Sequence, residues 1–447
     1  MSTLTLAIVV VFCLGYFCIA IESKLKINKA AIAMLMFVLC WTLFMIDPSQ
    51  YLPEAVGKMK ALVVSGAIEH HLGVTATTLF FLMGAMTIVE LVDQNGGFNF
   101  VRDTLQTSSK RKLLWRIAFM TFFLSAILDN LTTSIVMIMI LRKLVSDQKE
   151  RLLYAGLVVI AANSGGAFSV IGDVTTIMLW NRGVITALGV LLEIFIPSLV
   201  SMLIPAYIIS RTLHGNVTYT PQQAQTMQAN ELTVSQRKSI FYLGVGGLVF
   251  VPIFKSITHL PPFVGILLVL SVLWTVTEVF YANLKEEEEK GAMQKRVTQM
   301  LKRIDMSTIL FFLGILMAVA CLETIGVLTS LGKGLDVAFG GNHYMVTGII
   351  GVLSSIVDNV PLVAGCMGMY PVQAVGDMAV DGIFWQLLAY CAGVGGSMLI
   401  IGSAAGVVVM GLEKITFGWY LRHITWLAFV GYVAGMLIYW VERMLFF

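Results

Sequence analysis

The sequence predicts an all-α integral membrane protein: an inverted-topology repeat with two re-entrant helical hairpins, two discontinuous transmembrane helices and about ten full spans. Three observations support this fold class: the composition, the lengths of the apolar segments, and motifs that recur in both halves. Of the 447 residues, 58% are hydrophobic and only 12% are charged, and the mean hydropathy is +0.87. These values exclude an ordinary soluble domain and make the lipid bilayer the expected partner of the chain.

The charge and the cysteines give no sign of other partners. The formal net charge is +3, and the basic residues fall in short loops rather than in one patch, so we expect no nucleic-acid binding. All six cysteines lie in apolar stretches without the paired spacing of a zinc site or a disulfide framework. We therefore expect no cofactor, and nothing in the sequence points to an enzyme.

Ordinary spans follow from length, because a bilayer core of about 30 Å needs about 20 apolar residues per helix. The first of them could pass for a signal sequence, but no basic residue precedes it, so we interpret it as a transmembrane helix that starts outside. The predicted spans are residues 3–22, 30–47, 74–93, 184–210, 239–258, 262–281, 306–327 and 419–442.

Two further segments in the first half are too long for one straight span, since a helix rises 1.5 Å per residue. Residues 112–146 are interrupted by Asp129-Asn130, and residues 152–182 by Asn163-Ser164-Gly165-Gly166. We predict a re-entrant hairpin at the first and a broken but complete span at the second. The second half carries similar interruptions, which predict a hairpin at 343–370 and a broken span at 383–412.

Lysine and arginine placement orients these segments, because cytoplasmic loops keep the positive charge. Basic residues flank the first hairpin at 110–112 and 142–143, whereas the second has only Lys333 nearby. The first hairpin should therefore open to the cytoplasm and the second to the outside. Both termini then lie outside, and residues 212–238 form a cytoplasmic linker.

The two halves carry the same motifs at a nearly constant offset. Leu79–Leu82 recurs as Leu310–Leu313, the motif ending in Asp129-Asn130 recurs at Asp358-Asn359, and Gly165-Gly166 recurs as Gly395-Gly396. Chance does not produce such an order and spacing. We assign the first repeat to 1–211 and the second to 239–447. Each has an odd number of crossings, so the second is inverted, as in secondary transporters with alternating access.

Oxygen-bearing side chains at the breaks predict a site for a hard cation such as sodium. Each hairpin tip has an acid beside an amide. A third acid, Asp173, lies within the first broken span, after its Gly165-Gly166 break, and its repeat mate is Ser403. An ionised carboxylate at membrane depth costs on the order of several kcal/mol unless it is paired or hydrated. Removal from water also favours its protonated form, so such a group can bind either a proton or a sodium ion.

The candidate residues divide into ligands and backbone. The expected cation- and proton-binding residues are Asp129, Asn130, Thr132, Thr133, Asn163, Ser164, Asp173, Thr176, Asp358, Asn359 and Ser397, with sodium held by the three acids. Gly165, Gly166, Gly395 and Gly396 are expected at the helix breaks. Three alternatives stay open. Asp129 and Asp358 could serve only as helix N-caps, Asp173 could make only a polar contact near the inner end of a half-helix, and the glycines could serve only for close helix packing.

The motifs at 125–133 (SAILDNLTT) and 163–176 (NSGGAFSVIGDVTT) resemble those of NhaD-type sodium/proton antiporters of the ion transporter superfamily. The resemblance extends over nearly the whole chain. It implies exchange of sodium or lithium for protons, a bacterial inner (plasma) membrane, a homodimer and an elevator-like motion.

Other readings of the sequence are an anion transporter for arsenite or a dicarboxylate, an intramembrane aspartyl protease and a channel. No Lys or Arg lies within ten residues of either Asp-Asn pair, which disfavours an organic anion. The Gly-x-Gly-Asp motif typical of the protease is missing at Asp173.

Overall fold

The computed structural model describes residues 2–20, 25–97, 104–217, 232–282, 300–356 and 358–446. Within these ranges the chain is almost entirely helical, with one isolated β-bridge between Ser109 and Asn216, which confirms the all-α prediction. Six of the described helices are long and apolar enough to cross a membrane. Most of the polar stretches predicted as cytoplasmic loops, 218–231 and 283–299, lie outside the described residues.

Eighteen α-helices follow one another along the described chain. The first half contains α1 (Thr3–Ala20), α2 (Lys29–Phe44), α3 (Lys60–Gln94), α4 (Lys110–Leu128), α5 (Asn130–Leu144), α6 (Gln148–Ala167), α7 (Val174–Arg182) and α8 (Ala187–Thr212). The second half contains α9 (Val234–Thr258), α10 (Pro262–Ala282), α11 (Met306–Thr324), α12 (Val327–Ala338), α13 (His343–Ser354), α14 (Asn359–Met369), α15 (Ile383–Gly395), α16 (Ala404–Glu413), α17 (Phe417–His423) and α18 (Thr425–Phe446).

Three predicted segments differ from the observed helices. The span expected at 74–93 is the second part of the longer α3, and the span expected at 419–442 is divided into α17 and α18. Helix α12 was not predicted, because its polar residues and glycines interrupt the apolar run that marks a span. Helix α9 begins at Val234, inside the region expected to be linker.

The helices pack in two groups. The scaffold group consists of α1, α2, α3, α9, α10 and α11, which contact mainly one another. The core group consists of α4 to α8 and α13 to α18, and it contains both hairpins and both broken helices. Helix α14 lies at the boundary, because it packs against α11 and α12 as well as against α7.

The hairpin tips have different backbones. Helix α4 passes into α5 through the single residue Asp129, which has φ +88° and ψ 158°. L-residues rarely adopt this conformation, and it costs roughly 1–3 kcal/mol unless neighbouring contacts hold it. In the second hairpin, α13 ends at Ser354 and α14 begins at Asn359, so the turn is longer and Asp358 has an ordinary negative φ.

The breaks in the long helices begin later than expected. We predicted that Asn163-Ser164-Gly165-Gly166 would interrupt the helix, but α6 continues through all four residues to Ala167. The non-helical stretch is 168–173. Likewise, Gly395 is the last residue of α15 and Gly396 its C-cap.

These glycines sit where a hairpin backbone crosses a broken helix. A Cβ on Gly165 would collide with the carbonyl oxygen of Phe122 in α4, and a Cβ on Gly395 with that of Gly351 in α13. The same crossings are hydrogen-bonded: the Ser125 hydroxyl donates to the Ala162 carbonyl (2.6 Å), and at the equivalent place Ser354 Oγ donates to Ala392 O (2.7 Å). Each hairpin is thus fixed to one broken helix by matched contacts.

Two buried carboxylates tie the core group together away from these crossings. Glu413, at the end of α16, accepts from Nε of Arg142 (2.8 Å) and Nε of Arg151 (2.7 Å), which joins it to the ends of α5 and α6. Glu193 of α8 accepts from Nη1 of Arg443 in α18 (2.6 Å). Buried ion pairs of this kind stabilise an arrangement only while both partners remain, because a lone buried charge is costly.

We predict that Gly165→Ala and Gly395→Ala will destabilise the protein, since overpacking against backbone costs roughly 1–3 kcal/mol or more. Both variants should lower the melting temperature of the detergent-purified protein by several degrees. Gly411→Ala in α16 is the matched control, because an added Cβ there meets nothing within 4 Å. Equal melting temperatures for all three variants would contradict the close crossing.

Candidate functional site

Asp173 lies at the end of the first break and begins α7. Its carboxylate Oδ1 accepts a hydrogen bond from the backbone N–H of Thr175 (3.1 Å), so the side chain is the N-cap of that half-helix. Asp173 is only 1% exposed. The second oxygen, Oδ2, faces away from the helix toward the hairpin tips.

The two hairpin tips meet at this carboxylate. Asn130, the first residue of α5, donates from Nδ2 to Asp173 Oδ2 (2.9 Å), and Asn359, the first residue of α14, donates to the same oxygen (3.1 Å). Both asparagines are buried. One acid of the first half therefore holds an amide from each half.

Asn163 connects the two breaks. Its Oδ1 accepts from Asn130 Nδ2 (3.0 Å), and its own Nδ2 lies 3.0 Å from Ser397 Oγ and 2.9 Å from Ser403 Oγ. Ser403 is the N-cap of α16, where it accepts from the N–H of Gly406 (3.2 Å). Asp173 and its repeat mate Ser403 thus cap equivalent half-helices, but only one of them is charged.

Asp129 interacts within its own tip. Oδ1 accepts from the backbone N–H of Thr132 (2.7 Å), and Oδ2 accepts from the Thr132 hydroxyl (3.1 Å). The neighbouring Thr133 is fully buried, and its hydroxyl has no hydrogen-bond partner among the described residues. An oxygen of this kind is available to a ligand.

Asp358 has a partner that the sequence did not reveal. Its Oδ1 accepts from the N–H of Val360 (3.2 Å), and its Oδ2 lies 3.6 Å from Nζ of Lys29, at the start of α2. No Lys or Arg lies within ten residues of Asp358 along the chain, but folding brings Lys29 to it.

All three acids are N-caps, a role that the sequence suggested for Asp129 and Asp358 but not for Asp173. In each of them Oδ1 takes the capping N–H. In each of them Oδ2 faces another side chain instead: a threonine hydroxyl, two asparagine amides or a lysine ammonium. Capping therefore uses Oδ1 of each carboxylate and leaves Oδ2 able to interact with side chains or a ligand.

The three acids do not form one cluster. In the part of the chain that the structure describes, no group of three or more His, Cys, Asp or Glu side chains could hold a metal ion. Asp129 and Asp358 lie within electrostatic range of Asp173 instead of beside it. The arrangement has a central carboxylate with amides around it and one further acid at each tip.

Some predicted residues lie apart from this centre. The Ser164 hydroxyl accepts from Ser201 of α8 (2.9 Å), and the Thr176 hydroxyl donates to the carbonyls of Ser169 (2.8 Å) and Asp173 (2.9 Å). Gly166 serves the backbone, because a Cβ there would meet the Gly172 carbonyl oxygen at 2.5 Å. A Cβ on Gly396 would meet the Gly402 carbonyl oxygen at 2.9 Å. These residues shape the breaks without touching the Asp173 carboxylate.

Sequence reasoning missed two contributors. Ser403 had a signal, since it is the repeat mate of Asp173. Lys29 had none, because it lies in the loop before a different span and far from Asp358 along the chain.

Comparisons with known proteins agree with the motif resemblance. The family model described as citrate transporter (CitMHS) matches residues 16–388. The chain is 44% identical to sodium/proton antiporter 1 of Arabidopsis thaliana over 97% of its own length and 72% of that protein, and 42% identical to antiporter 2 over 96% and 97%. It is 30% identical to the Na(+)/H(+) antiporter NhaD of Vibrio cholerae over 98% and 92%.

The fold also has a counterpart among solved structures. The Alcanivorax borkumensis YdaH transporter, described as having an unusual topology, superposes with a TM-score of 0.58 at 12% identity and covers 92% of this chain and 98% of its own. Because these relatives are transporters, the protein is a multi-pass membrane transporter and not an enzyme. The chain belongs to the citrate transporter (CitMHS) family and groups with the NhaD-type sodium/proton antiporters.

Proposed function

We propose that the protein exchanges sodium or lithium for protons by alternating access. The observation that supports this most directly is the Asp173 carboxylate, which is held by Asn130 of one hairpin and Asn359 of the other. A buried carboxylate among amide and hydroxyl groups matches the preference of a hard monovalent cation for oxygen. The names of the sodium/proton antiporter relatives point to the same cargo.

The asparagines allow one site to accept either ligand. In the arrangement described, their amide nitrogens donate to the carboxylate. Rotation of an amide by half a turn presents its oxygen, which can coordinate sodium together with Asp173 Oδ2. A proton on the carboxylate instead neutralises the centre. Sodium and protons therefore compete for Asp173. The free-energy cost of moving this site through the membrane is low only when sodium or a proton neutralises the carboxylate.

The movement we propose is elevator-like, with the core group shifting against the scaffold group. The matched crossings at Ser125 and Ser354 and the ion pairs of Glu413 and Glu193 favour motion of the core group as one unit. We keep the inverted repeat, 1–211 and 239–447, as part of this proposal. A homodimer is also part of this proposal. So is a location in a bacterial inner membrane, which the relatives alone do not give because they include plant proteins.

Replacing any of the acids by asparagine separates capping from ion binding, because asparagine caps helices as well as aspartate does. We predict that everted vesicles with the wild-type protein will dissipate an imposed pH gradient when sodium or lithium is added. Asp129→Asn, Asp173→Asn and Asp358→Asn should each retain less than about a tenth of that rate and keep a near-normal melting temperature.

The control for this series is Asp147→Asn, which changes an exposed capping aspartate at the start of α6. It should transport like the wild type. A wild-type protein that ignores both cations and carries arsenite or a dicarboxylate would refute the proposal.

Competition between the ions also predicts a pH dependence. At low pH the proton occupies the shared carboxylates, so sodium must displace it; at high pH sodium meets an empty site. The KM for sodium should therefore rise as pH falls, by up to about tenfold per pH unit where one proton competes, with the maximal rate much less affected. A KM that stays constant between acid and alkaline pH would exclude a shared site.

The two asparagines should matter more for sodium affinity than for folding. We predict that Asn130→Ala and Asn359→Ala will each raise the KM for sodium at least severalfold, since each removes one oxygen ligand from a desolvated site. Asn95→Ala is a suitable control, because Asn95 is a buried asparagine of the scaffold group that bonds to Leu91 and Tyr281. Equal KM values for the three variants would contradict the ligand role.

A second candidate function is transport of citrate or a related carboxylate, as the family description suggests. The one observation that favours it is the Lys29 ammonium beside a hairpin tip. Labelled citrate uptake into the same vesicles distinguishes the two proposals. Uptake that responds to citrate but not to sodium or lithium would support this candidate.

A further inference from the structure

Lys29 and Asp358 form an ion pair across the two helix groups. Lys29 is the first residue of α2 in the scaffold group, and Asp358 caps α14 in the second hairpin. The distance from Nζ to Oδ2 is 3.6 Å, and the side chains are 25% and 17% exposed. Both side chains of the pair are thus mostly buried but not fully enclosed by protein.

The lysine is held by the scaffold group. Its Nζ lies 4.3 Å from the centroid of the Phe311 ring of α11, within cation–π range. One residue earlier, Asn28 Nδ2 donates to the Ser307 hydroxyl at the start of α11 (2.8 Å). Contacts between helices α2 and α11 therefore fix the position of the Lys29 ammonium. The tip of the second hairpin contacts it there.

A third scaffold group faces the same carboxylate. Tyr16 of α1 lies within electrostatic range of Asp358. Its hydroxyl is buried and has no hydrogen-bond partner among the residues described. A lysine that packs on an aromatic ring and a buried tyrosine hydroxyl thus lie within electrostatic range of one acid at the boundary between the groups.

We propose that Lys29 is the built-in competitor of the transported cation at Asp358. Its ammonium neutralises the carboxylate while the tip holds no sodium, and it connects the second hairpin to the scaffold group. Sodium carries the same charge, so it can take the place of the ammonium without changing the charge balance of the tip. This inference rests on the proposed sodium/proton exchange and assigns a positioning residue to it.

The consequence is that the second hairpin stays attached to the scaffold group while Asp358 has bound neither sodium nor a proton. We call this attachment the tether. With Asp358 ionised and unloaded, the ion pair holds α14 against α2 and α11. When sodium or a proton neutralises Asp358, the attraction to Lys29 disappears and the hairpin is free to move. An exchanger needs this property, because movement of the empty carrier would waste the ion gradient.

The ion pair differs in this respect from the pairs that lie within one group. Glu413 binds Arg142 and Arg151 inside the core group, so that contact need not break during transport. Arg182 and Glu323 (3.4 Å) do join α7 to α11 across the groups, but neither is a candidate ion ligand in the site described above. Arg182→Gln therefore provides a matched control that removes a cross-group ion pair elsewhere.

The direct test is equilibrium binding of radioactive sodium to purified protein at one fixed alkaline pH. Lys29→Gln should lower the Kd for sodium about three- to tenfold, which is the size expected for loss of a partly solvated competing charge. Lys29→Arg should bind like the wild type, because it keeps the positive charge. Arg182→Gln should also leave the Kd unchanged.

A double variant isolates the pair. In an Asp358→Asn background, Lys29→Gln should have no further effect on sodium binding, since the carboxylate for which the lysine competes is gone. The same fall in Kd in both backgrounds would overturn the inference. So would an unchanged or higher Kd in Lys29→Gln alone.

Hydrogen exchange of α14 reads out the tether without transport. In the absence of sodium, both Lys29→Gln and Asp358→Asn should speed amide exchange in residues 359–369, because each removes one partner of the ion pair. At saturating sodium, Lys29→Gln and the wild type should exchange at the same rate. Unchanged exchange in both variants would overturn the tether. A wild-type protein that binds no sodium would overturn the proposed function and this inference together.

Discussion

The structure depends on how one carboxylate is accommodated far from water. Asp173 is 1% exposed, and an ionised acid at membrane depth is strongly unfavourable without partners. Three donors satisfy it: a backbone N–H of the half-helix that it caps, and one amide from each hairpin tip. The backbone donor is free only because α7 begins there, since a continuous helix would use its own N–H groups internally. The break and the meeting of the two tips thus supply these donors to this group.

The two hairpins cross their broken helices in the same way but differ in charge near those crossings. Matched serine–carbonyl bonds and matched glycine crossings fix both hairpins to their broken helices in the same way. The equivalent of Asp173, however, is Ser403, which caps its half-helix without a charge. Two facing carboxylates would repel each other and favour a shared proton over a metal ion. A single acid between two amides leaves one negative charge instead, which suits the monovalent cation that we propose as the ligand.

Sequence reasoning succeeded where local chemistry and the repeat agreed, and failed where tertiary contacts decide. The Asp-Asn tips and Asp173 were predictable, because polar groups inside apolar segments demand an explanation. The positions of Gly165 and Gly166 were not, because a glycine pair marks a break and a close crossing equally well, and only the Phe122 carbonyl shows which applies. Helix α12 lacks a motif, and Lys29 reaches Asp358 only through folding. The remainder of the site thus depends on contacts between residues far apart in the sequence, which no local sequence pattern predicts.

The charges around the hairpin tips also affect whether this protein can transport anions or cations. Three carboxylates stand against a single ammonium, and that ammonium already pairs with one of them. A dicarboxylate or citrate entering this space would meet an excess of negative charge in a medium of low dielectric constant, where repulsion is poorly screened. A sodium ion would instead reduce that excess of negative charge. In this chain the acids favour cations.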